Sequence, residues 1–357
     1  MKKVKLKIKK MLKKNQYFNW YICRKRKEKK KYDQFIKNYN KSGNLGGNGW
    51  YKPYVINVID GTIENFGLAD RLRGIISTYA ICKEKNLPYR LYFTYPFNLD
   101  DYLIPNQYDW RISNADVCGN IRDCNPVISF TAGINASTEV SAYQFHKQKN
   151  YLRRHINRSD KQTIVFTNAA FAYNLDYSNL FNELFKPSKK LQTSINRQIE
   201  ILGPDYISVH ARFMDLLGDF TEPLKWKQLP EIDAQKLILT SVEQIMLIHD
   251  KYPDKKILIN SDSMRFIKAC SELEYTYSIP GNITHIDMIQ TDEYYENYER
   301  YEKTFLDFMV MANSEKIFLL KGNNMRESGY YFAASKIYNR EFEKIKYSRS
   351  IHESEKN

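Results

Sequence analysis

The residues best equipped for chemistry stand in one string, Ile207-Ser-Val-His-Ala-Arg-Phe-Met-Asp-Leu-Leu-Gly-Asp-Phe220. A short apolar run of strand character ends abruptly in His210, Arg212 and Asp215. A glycine-containing loop follows with Asp219, and Glu222 lies just beyond. Arginine presents a planar, permanently charged donor fork that fits phosphate oxygens. A carboxylate beside it can orient the guanidinium or take a proton from a reacting hydroxyl. A strand-end His and Arg also serve simply as salt-bridge partners of their neighbours, so the string needs context.

Three further strings supply that context. Asn260-Ser261-Asp262 closes the next strand-like run, where a carboxylate can accept hydrogen bonds from a guanine edge or a ribose. Asp307 lies on a helical stretch, expected on its cleft side. Arg326-Glu-Ser328-Gly329 follows a strand and a Gly-Asn-Asn loop and is expected to open the last helix, whose free N–H groups suit phosphate. Polar groups at the carboxyl ends of several strands in one half of the chain point to a nucleotide-diphosphate site.

The elements that must hold these residues alternate between strand and helix patterns, the mark of α/β layers with parallel strands. In the first half, Tyr54–Ile59 reads as strand, Gly67–Asn86 as helix, Tyr89–Tyr95 and Ile164–Asn168 as strands, and 96–160 as irregular. In the second half the expected strands are Tyr206–Val209, Lys256–Asn260 and Lys316–Leu320. The expected helices are Pro187–Leu202, Asp233–Lys251, Met264–Leu273, Tyr298–Ala312 and Arg326–Tyr338. A chain of 357 residues favours two domains. The expected division is a basic tail and linker over 1–49, an N-terminal Rossmann-like domain over 50–185, a C-terminal Rossmann-like domain over 186–345, and a polar tail over 346–357.

The net charge of +14 is confined to one place. Residues 1–32 hold 15 Lys and Arg against the single acid Glu28, which leaves the remainder with 40 basic and 40 acidic residues. A neutral body without a second basic patch argues against nucleic acid as a partner. Within the tail, Val4, Ile8, Met11 and Leu12 share a helical face among lysines, and Phe18, Trp20 and Tyr21 precede Arg24-Lys25-Arg26-Lys27. That composition suits an interfacial helix on an anionic membrane surface, or a solvated basic arm. No stretch has the ~18–20 apolar residues that cross a bilayer. Five cysteines without metal-ligand spacing read as reduced thiols, with Cys118–Cys124 as an alternative short bridge. The expected location is the cytoplasm, peripheral to the inner face of the cell membrane.

With these motifs in order over about residues 54–340, the chain resembles the GDP-fucose fucosyltransferase superfamily of α1,2-, α1,6- and protein O-fucosyltransferases. Phe66-Gly-Leu-Ala-Asp-Arg-Leu-Arg73 resembles its N-terminal Gly-Leu-Gly-Asn-Arg-Leu segment, and Val209-His-Ala-Arg-Phe-Met-Asp215 its His-x-Arg-x-x-Asp motif. Leu306-Asp307 with Ser328–Ala334 resembles its third motif, and Leu184-Phe-Lys-Pro-Ser188 is a further shared element. The resemblance implies a GT-B fold, two Rossmann-like domains facing a cleft, and metal-independent inverting transfer. It implies GDP-fucose as donor substrate, no cofactor, and a glycan or lipid-linked glycan as acceptor. It implies that His210 contacts the nucleoside, Arg212 the diphosphate, Asp262 the base or ribose, and Ser328 with Gly329 the phosphates. Ser261, Asp307 and Arg326 complete that side, while Phe66, Gly67 and Arg71 close over the donor. Asp215, Asp219 and Glu222, or Asp60 and Glu64 in the other half, are candidate bases. Two departures, Phe213 where a second Arg is common and Ala69-Asp70 where Gly-Asn is common, leave room for another nucleotide sugar. Arg71, Arg73 or Arg326 could replace the missing cation. A non-catalytic membrane-surface protein and a nucleic-acid-binding protein are the remaining alternatives.

Overall fold

The computed structural model describes residues 15–39, 51–63, 67–119, 123–130, 138–220, 227–283, 286 and 298–348. The candidate residues Glu64, Phe66 and Glu222, and the apolar tail positions from Val4 to Leu12, lie outside them. The chain divides into two compact units, one of residues 1–99 and 104–186, the other of 100–103 and 187–357.

The N-terminal unit runs α1 (Gln16–Tyr39), β1 (Val55–Ile59), α2 (Leu68–Glu84), β2 (Tyr89–Phe93), β3 (Leu103–Pro105), β4 (Cys124–Ser129), α3 (Thr138–His155), β5 (Gln162–Thr167), α4 (Tyr177–Leu184) and β6 (Phe185–Pro187). Its sheet has the order β2-β1-β5-β4 and every pairing is parallel. All five residues of β1 are buried, so the sheet must be covered on both faces. Ile56 and Val58 of β1, Ile164 and Phe166 of β5 and Ile128 of β4 form one core, and none of the buried residues of α2 belongs to it. The residue from α1 that seals this core is Phe35, which is 0% exposed, with its ring 5.4 Å from that of Phe166. Part of the segment expected to be a tail and linker is therefore a layer of the fold. A phenylalanine in a basic run carries no local sign of the sheet it covers.

On the α2 side the fit depends on Gly74. A Cβ there would lie 2.1 Å from the carbonyl oxygen of Thr167, so only glycine lets the helix approach the end of β5 this closely. Ser77 Oγ then donates to the Ala169 carbonyl at 2.9 Å. Arg71, expected at the donor, is turned inward instead. It is 3% exposed, donates to the Tyr95 carbonyl at 2.7 Å, and lies 5.6 Å above the Phe93 ring. It braces β2 against α2, because an arginine four residues into this helix falls on its buried side. Cys82, Cys118 and Cys124 are buried free thiols, so the alternative Cys118–Cys124 bridge is absent.

The C-terminal unit runs α5 (Lys189–Leu202), β7 (Ile207–Ala211), α6 (Glu231–Lys251), β8 (Ile257–Ser261), α7 (Met264–Cys270), β9 (Thr276–Tyr277), α8 (Tyr298–Asn313), β10 (Lys316–Lys321), α9 (Gly329–Ile337) and β11 (Glu341–Lys346). Its strand order is β11-β10-β7-β8-β9, again all parallel. From β7 the chain winds out through β8 to β9, then returns to the other side of β7 as β10 and β11. The direction of winding therefore reverses between β7 and β10. Residues 100–103 join this unit because the Tyr102 ring stacks on Phe305 at 4.3 Å and on Tyr298 at 4.8 Å.

Two helix starts differ from the expectation. The first helix begins at Lys189, after Pro187, because Ser188 Oγ accepts the Leu191 N–H and so caps it. The last begins at Gly329 and leaves Arg326 outside, because Ser328 is its cap and accepts the Tyr330 N–H at 3.1 Å. The stretch 96–160, expected to be irregular, instead holds β3, β4 and α3, and elsewhere both units follow the alternation of patterns. Phe35→Ala is expected to cost about 3–4 kcal/mol in chemical denaturation, the range for emptying a buried phenylalanine site. A loss below about 1 kcal/mol would show that α1 is not a layer of this unit.

Candidate functional site

β7 is buried along its whole length, and its register sorts its side chains between two surroundings. Val209 and Ala211 face the core built with Ile257 and Ile259 of β8, Phe318 and Leu320 of β10, and the apolar sides of α6 and α7. Ser208 and His210 face the other way, with Asn260 of β8 directly opposite His210. His210 is 7% exposed and Asn260 is 4% exposed. Neither ring nitrogen of His210, neither amide atom of Asn260, nor the Ser208 hydroxyl has a hydrogen-bond partner among the described residues. The His210 ring packs at 5.8 Å from Tyr330 and 6.2 Å from Tyr331, both on α9. Burial, and then the neighbouring Arg212 charge, push the His210 pKa down to about 3. The imidazole is therefore neutral near pH 7, with one nitrogen a donor and the other an acceptor. Buried polar groups left unpaired cost free energy, and they gather where a protein binds or reacts.

Arg212 is the first residue beyond β7. Its Nε lies 3.9 Å from Asp262 Oδ2, and its side chain keeps a quarter of its surface exposed. The chain next enters a tight turn over Met214–Leu217 in which Met214 has a φ of +57°, a left-handed conformation that costs a non-glycine residue of order 1 kcal/mol or more. Asp262, the first residue beyond β8, holds that turn. Its Oδ1 accepts the Phe213 N–H at 2.8 Å and its Oδ2 the Met214 N–H at 2.9 Å. Burial raises the Asp262 pKa, while the two amides and Arg212 oppose the shift. The carboxylate expected to hold a base or ribose thus holds the β7 loop. Phe213 explains one departure in the sequence: it is fully buried with its ring 5.0 Å from Phe266 of α7, so this position is a core anchor and cannot present a second cation.

The other expected residues fall as follows. Asp215 is 9% exposed within the turn. Asp219 works as a cap on α7, because its Oδ2 accepts from Ser263 Oγ and from the Arg265 N–H, each at 2.8 Å. That employment argues against Asp219 as a base. Ser261 closes β8 opposite Ala211, and its Oγ accepts the Ser263 N–H at 3.2 Å. Asp307 is paired with Lys303 one turn earlier on α8 at 2.9 Å, and burial raises its pKa against that pairing. Lys303 thus provides its counter-charge. Past β10, the neighbour of β7, Arg326 is exposed and forms no hydrogen bond or ion pair among the described residues. Ser328 and Gly329 form the start of α9. A Cβ at Gly329 or at Gly67 would meet nothing within 4 Å, so packing imposes glycine at neither position. In the N-terminal unit Asp60 accepts both the N–H and the hydroxyl of Thr62 at 2.9 and 2.8 Å, and burial raises its pKa.

The structure thus brings His210, Arg212, Asp262, Arg326, Ser328 and Gly329 to the carboxyl edge of one sheet, around the reversal between β7 and β10. In open α/β sheets that crevice is where ligands bind. Asn260 and Tyr330 join them. The sequence places Asn260 in the right string, but only strand register sets it beside His210. Among the described residues no group of three His, Cys, Asp or Glu side chains is placed to hold a metal ion.

No family model matches the chain, and no curated protein matches it. Among solved structures, fucosyltransferase NodZ from Bradyrhizobium is similar at 13% identity and a TM-score of 0.48, over 79% of this chain and 92% of that one. An Arabidopsis thaliana FUT1 variant in complex with GDP is similar at 9% identity and a TM-score of 0.49, over 87% of this chain and 74% of that one. The apo form of POFUT1 is similar at 8% identity and a TM-score of 0.48, over 83% of this chain and 99% of that one. Likeness this distant carries no conclusion about function, which rests on the residues themselves.

Two tests address the site. Asp262→Asn leaves an amide facing a backbone N–H and is expected to cost about 2–3 kcal/mol, the scale of a lost charge-assisted hydrogen bond in a buried setting. Stability should also fall as pH drops below 6.5, where the unfolded chain binds a proton that the native His210 refuses down to about pH 3. The slope from one such group approaches about 1.4 kcal/mol per pH unit. His210→Leu should flatten that slope between pH 6 and 4, in denaturation curves taken at each pH; an unchanged slope would rule out a buried neutral imidazole.

Proposed function

We propose that this protein is a glycosyltransferase of the GT-B kind that moves L-fucose from GDP-fucose to a hydroxyl group of a glycan or lipid-linked oligosaccharide, with inversion and without a metal ion. The observation that carries the reading is Arg212, braced by Asp262 and set at the winding reversal directly beyond the unpaired His210 and Asn260. In the transfer, the acceptor oxygen attacks the anomeric carbon as the bond from that carbon to the β-phosphate oxygen breaks. Negative charge then grows on the leaving diphosphate, and a fixed guanidinium stabilises that charge more than it stabilises the ground state. Arg326 offers a second cation from the neighbouring strand's loop, and the start of α9 at Ser328 and Gly329 offers backbone N–H groups to the phosphates. A neutral imidazole and a carboxamide side by side each present both donor and acceptor atoms, which suits the edge of a nucleobase or the hydroxyls of a ribose. The acceptor hydroxyl must lose its proton as it attacks, and Asp215 remains a candidate base.

A second reading is a transferase of the same kind that uses another nucleotide sugar. It draws on Phe213, whose burial leaves this motif with a single cation. One experiment separates the two. GDP should raise the melting temperature of the purified protein in a saturable manner, while UDP, ADP and CMP at the same concentration should not. Equal stabilisation by UDP or ADP would sink the GDP assignment. Arg212→Ala should lower fucosyl transfer by about 100- to 1000-fold with little change in melting temperature, the usual consequence of removing one charge-stabilising donor. Near-normal turnover in that variant would refute the catalytic assignment.

A further inference from the structure

We infer that the outward side of α1 is a docking surface for an anionic lipid bilayer, and that it holds the N-terminal unit in a fixed attitude on the membrane. This inference does not depend on the donor reading, since it concerns a different unit and different residues. The helix has 24 residues and is therefore about 36 Å long. It rests on the unit at both ends: Phe35 is sealed into the core near one end, and near the other Tyr17 meets the Tyr143 ring edge-on at 5.1 Å. At about 100° per residue these two positions fall on one line along the helix. The opposite line therefore points away from the unit, and Arg26, Lys30 and Lys37 lie on it or near it with Lys29 beside them. All four are exposed; Asp33, the one exposed acid described on this helix, lies near the same line, so the cations there outnumber the acid four to one.

A plane laid along that outer line meets the four cations together. Tyr21 and Tyr32 stand 51% and 46% exposed between the buried and the basic sides, and the Lys25 ammonium lies 5.9 Å from the Tyr21 ring. Amphipathic rings at the border of a basic strip fit the headgroup region, where an apolar body and a polar tip are both satisfied. The rest of the chain beyond residue 32 is balanced in charge overall, so the excess that an anionic partner would meet lies in the segment that includes α1. A lipid surface needs only the one convex strip. Because the helix is a layer of the fold and not a loose tether, binding would fix which face of the N-terminal unit meets the bilayer. It would make the protein peripheral to an anionic leaflet.

The test uses the full chain and vesicles of phosphatidylcholine with or without phosphatidylglycerol, at low and high salt. The wild-type protein should float with the anionic vesicles at low salt and be released by high salt. Replacement of Arg26, Lys29, Lys30 and Lys37 by Glu should weaken recovery on the order of 100-fold or more, given the usual contribution of each basic residue near an anionic leaflet. A control with the same change in net charge, Lys186, Lys189, Lys227 and Lys236 each replaced by Glu, should float as the wild type does. Both variants should keep the wild-type melting temperature, because the replaced side chains are exposed. Absence of flotation by the wild type, equal losses in the two variants, or undiminished binding after the α1 replacements would each overturn the inference. So would preferential binding to duplex DNA or single-stranded RNA that the α1 replacements abolish.

Discussion

A single carboxylate, Asp262, gathers the ends of two strands. Beyond β7 the chain must turn sharply, and it does so through a left-handed methionine, a conformation that does not persist unless something compels it. Asp262 compels it by accepting the N–H groups of both Phe213 and Met214, while the Phe213 ring locks the same turn into the core against Phe266. With the loop pinned on both sides, Arg212 has little freedom and projects at the sheet's edge with its counter-charge already in place. That is a site whose geometry is set before any ligand arrives, the condition under which a guanidinium is most effective toward a growing negative charge.

The same strand shows what the arrangement costs. Ser208, His210 and Asn260 are buried polar residues on one face of the sheet, and none has a partner among the described residues for the atoms it buries. A fold under selection for stability alone would place apolar groups there, as it does on the opposite face with Val209, Ala211 and Ile259. The two faces of β7 therefore answer to different demands. One closes a core against α6 and α7. The other keeps a neutral imidazole and a carboxamide next to the winding reversal, where the sheet offers its crevice. The depressed His210 pKa belongs to the same economy: burial and a neighbouring cation together make the ring a hydrogen-bonding group and not a charge.

The N-terminal unit solves a simpler problem. Its sheet is buried on both sides, and one side is completed by a helix whose composition is otherwise that of a solvated basic arm. The helix is thus held by one line of residues and free along the opposite line. Gly74 plays the corresponding part on the other side, where the absence of a side chain allows α2 to reach the end of β5. Arg71 shows the limit of motif reading in this unit. A familiar arginine near a helix start proved to brace Tyr95 and Phe93, because its direction is decided by which side of α2 meets the sheet.

The sequence alone determined the alternation of strands and helices outside residues 96–160, the buried character of the central strands β1, β5, β7 and β10, and the fact that polar residues crowd at strand ends in the second half. It also confined the excess charge to the first 32 residues. These are local properties, since period, β-branching and composition act over a few residues and are written in order along the chain. The helix starts set by Ser188 and Ser328 are also written locally, for a serine before a helical run is a capping signal, and they lie after Pro187 and Arg326, the expected starts. Only the tertiary structure decided that His210 lies beside Asn260, that Asp262 holds a loop 48 residues earlier in the chain, and that Asp219 caps a helix. It alone decided that Arg71 turns inward and that Phe35 seals a sheet. Each of these is a matter of strand register or of which helix face meets which sheet, and such choices are made between segments far apart in sequence, where no local pattern records the partner.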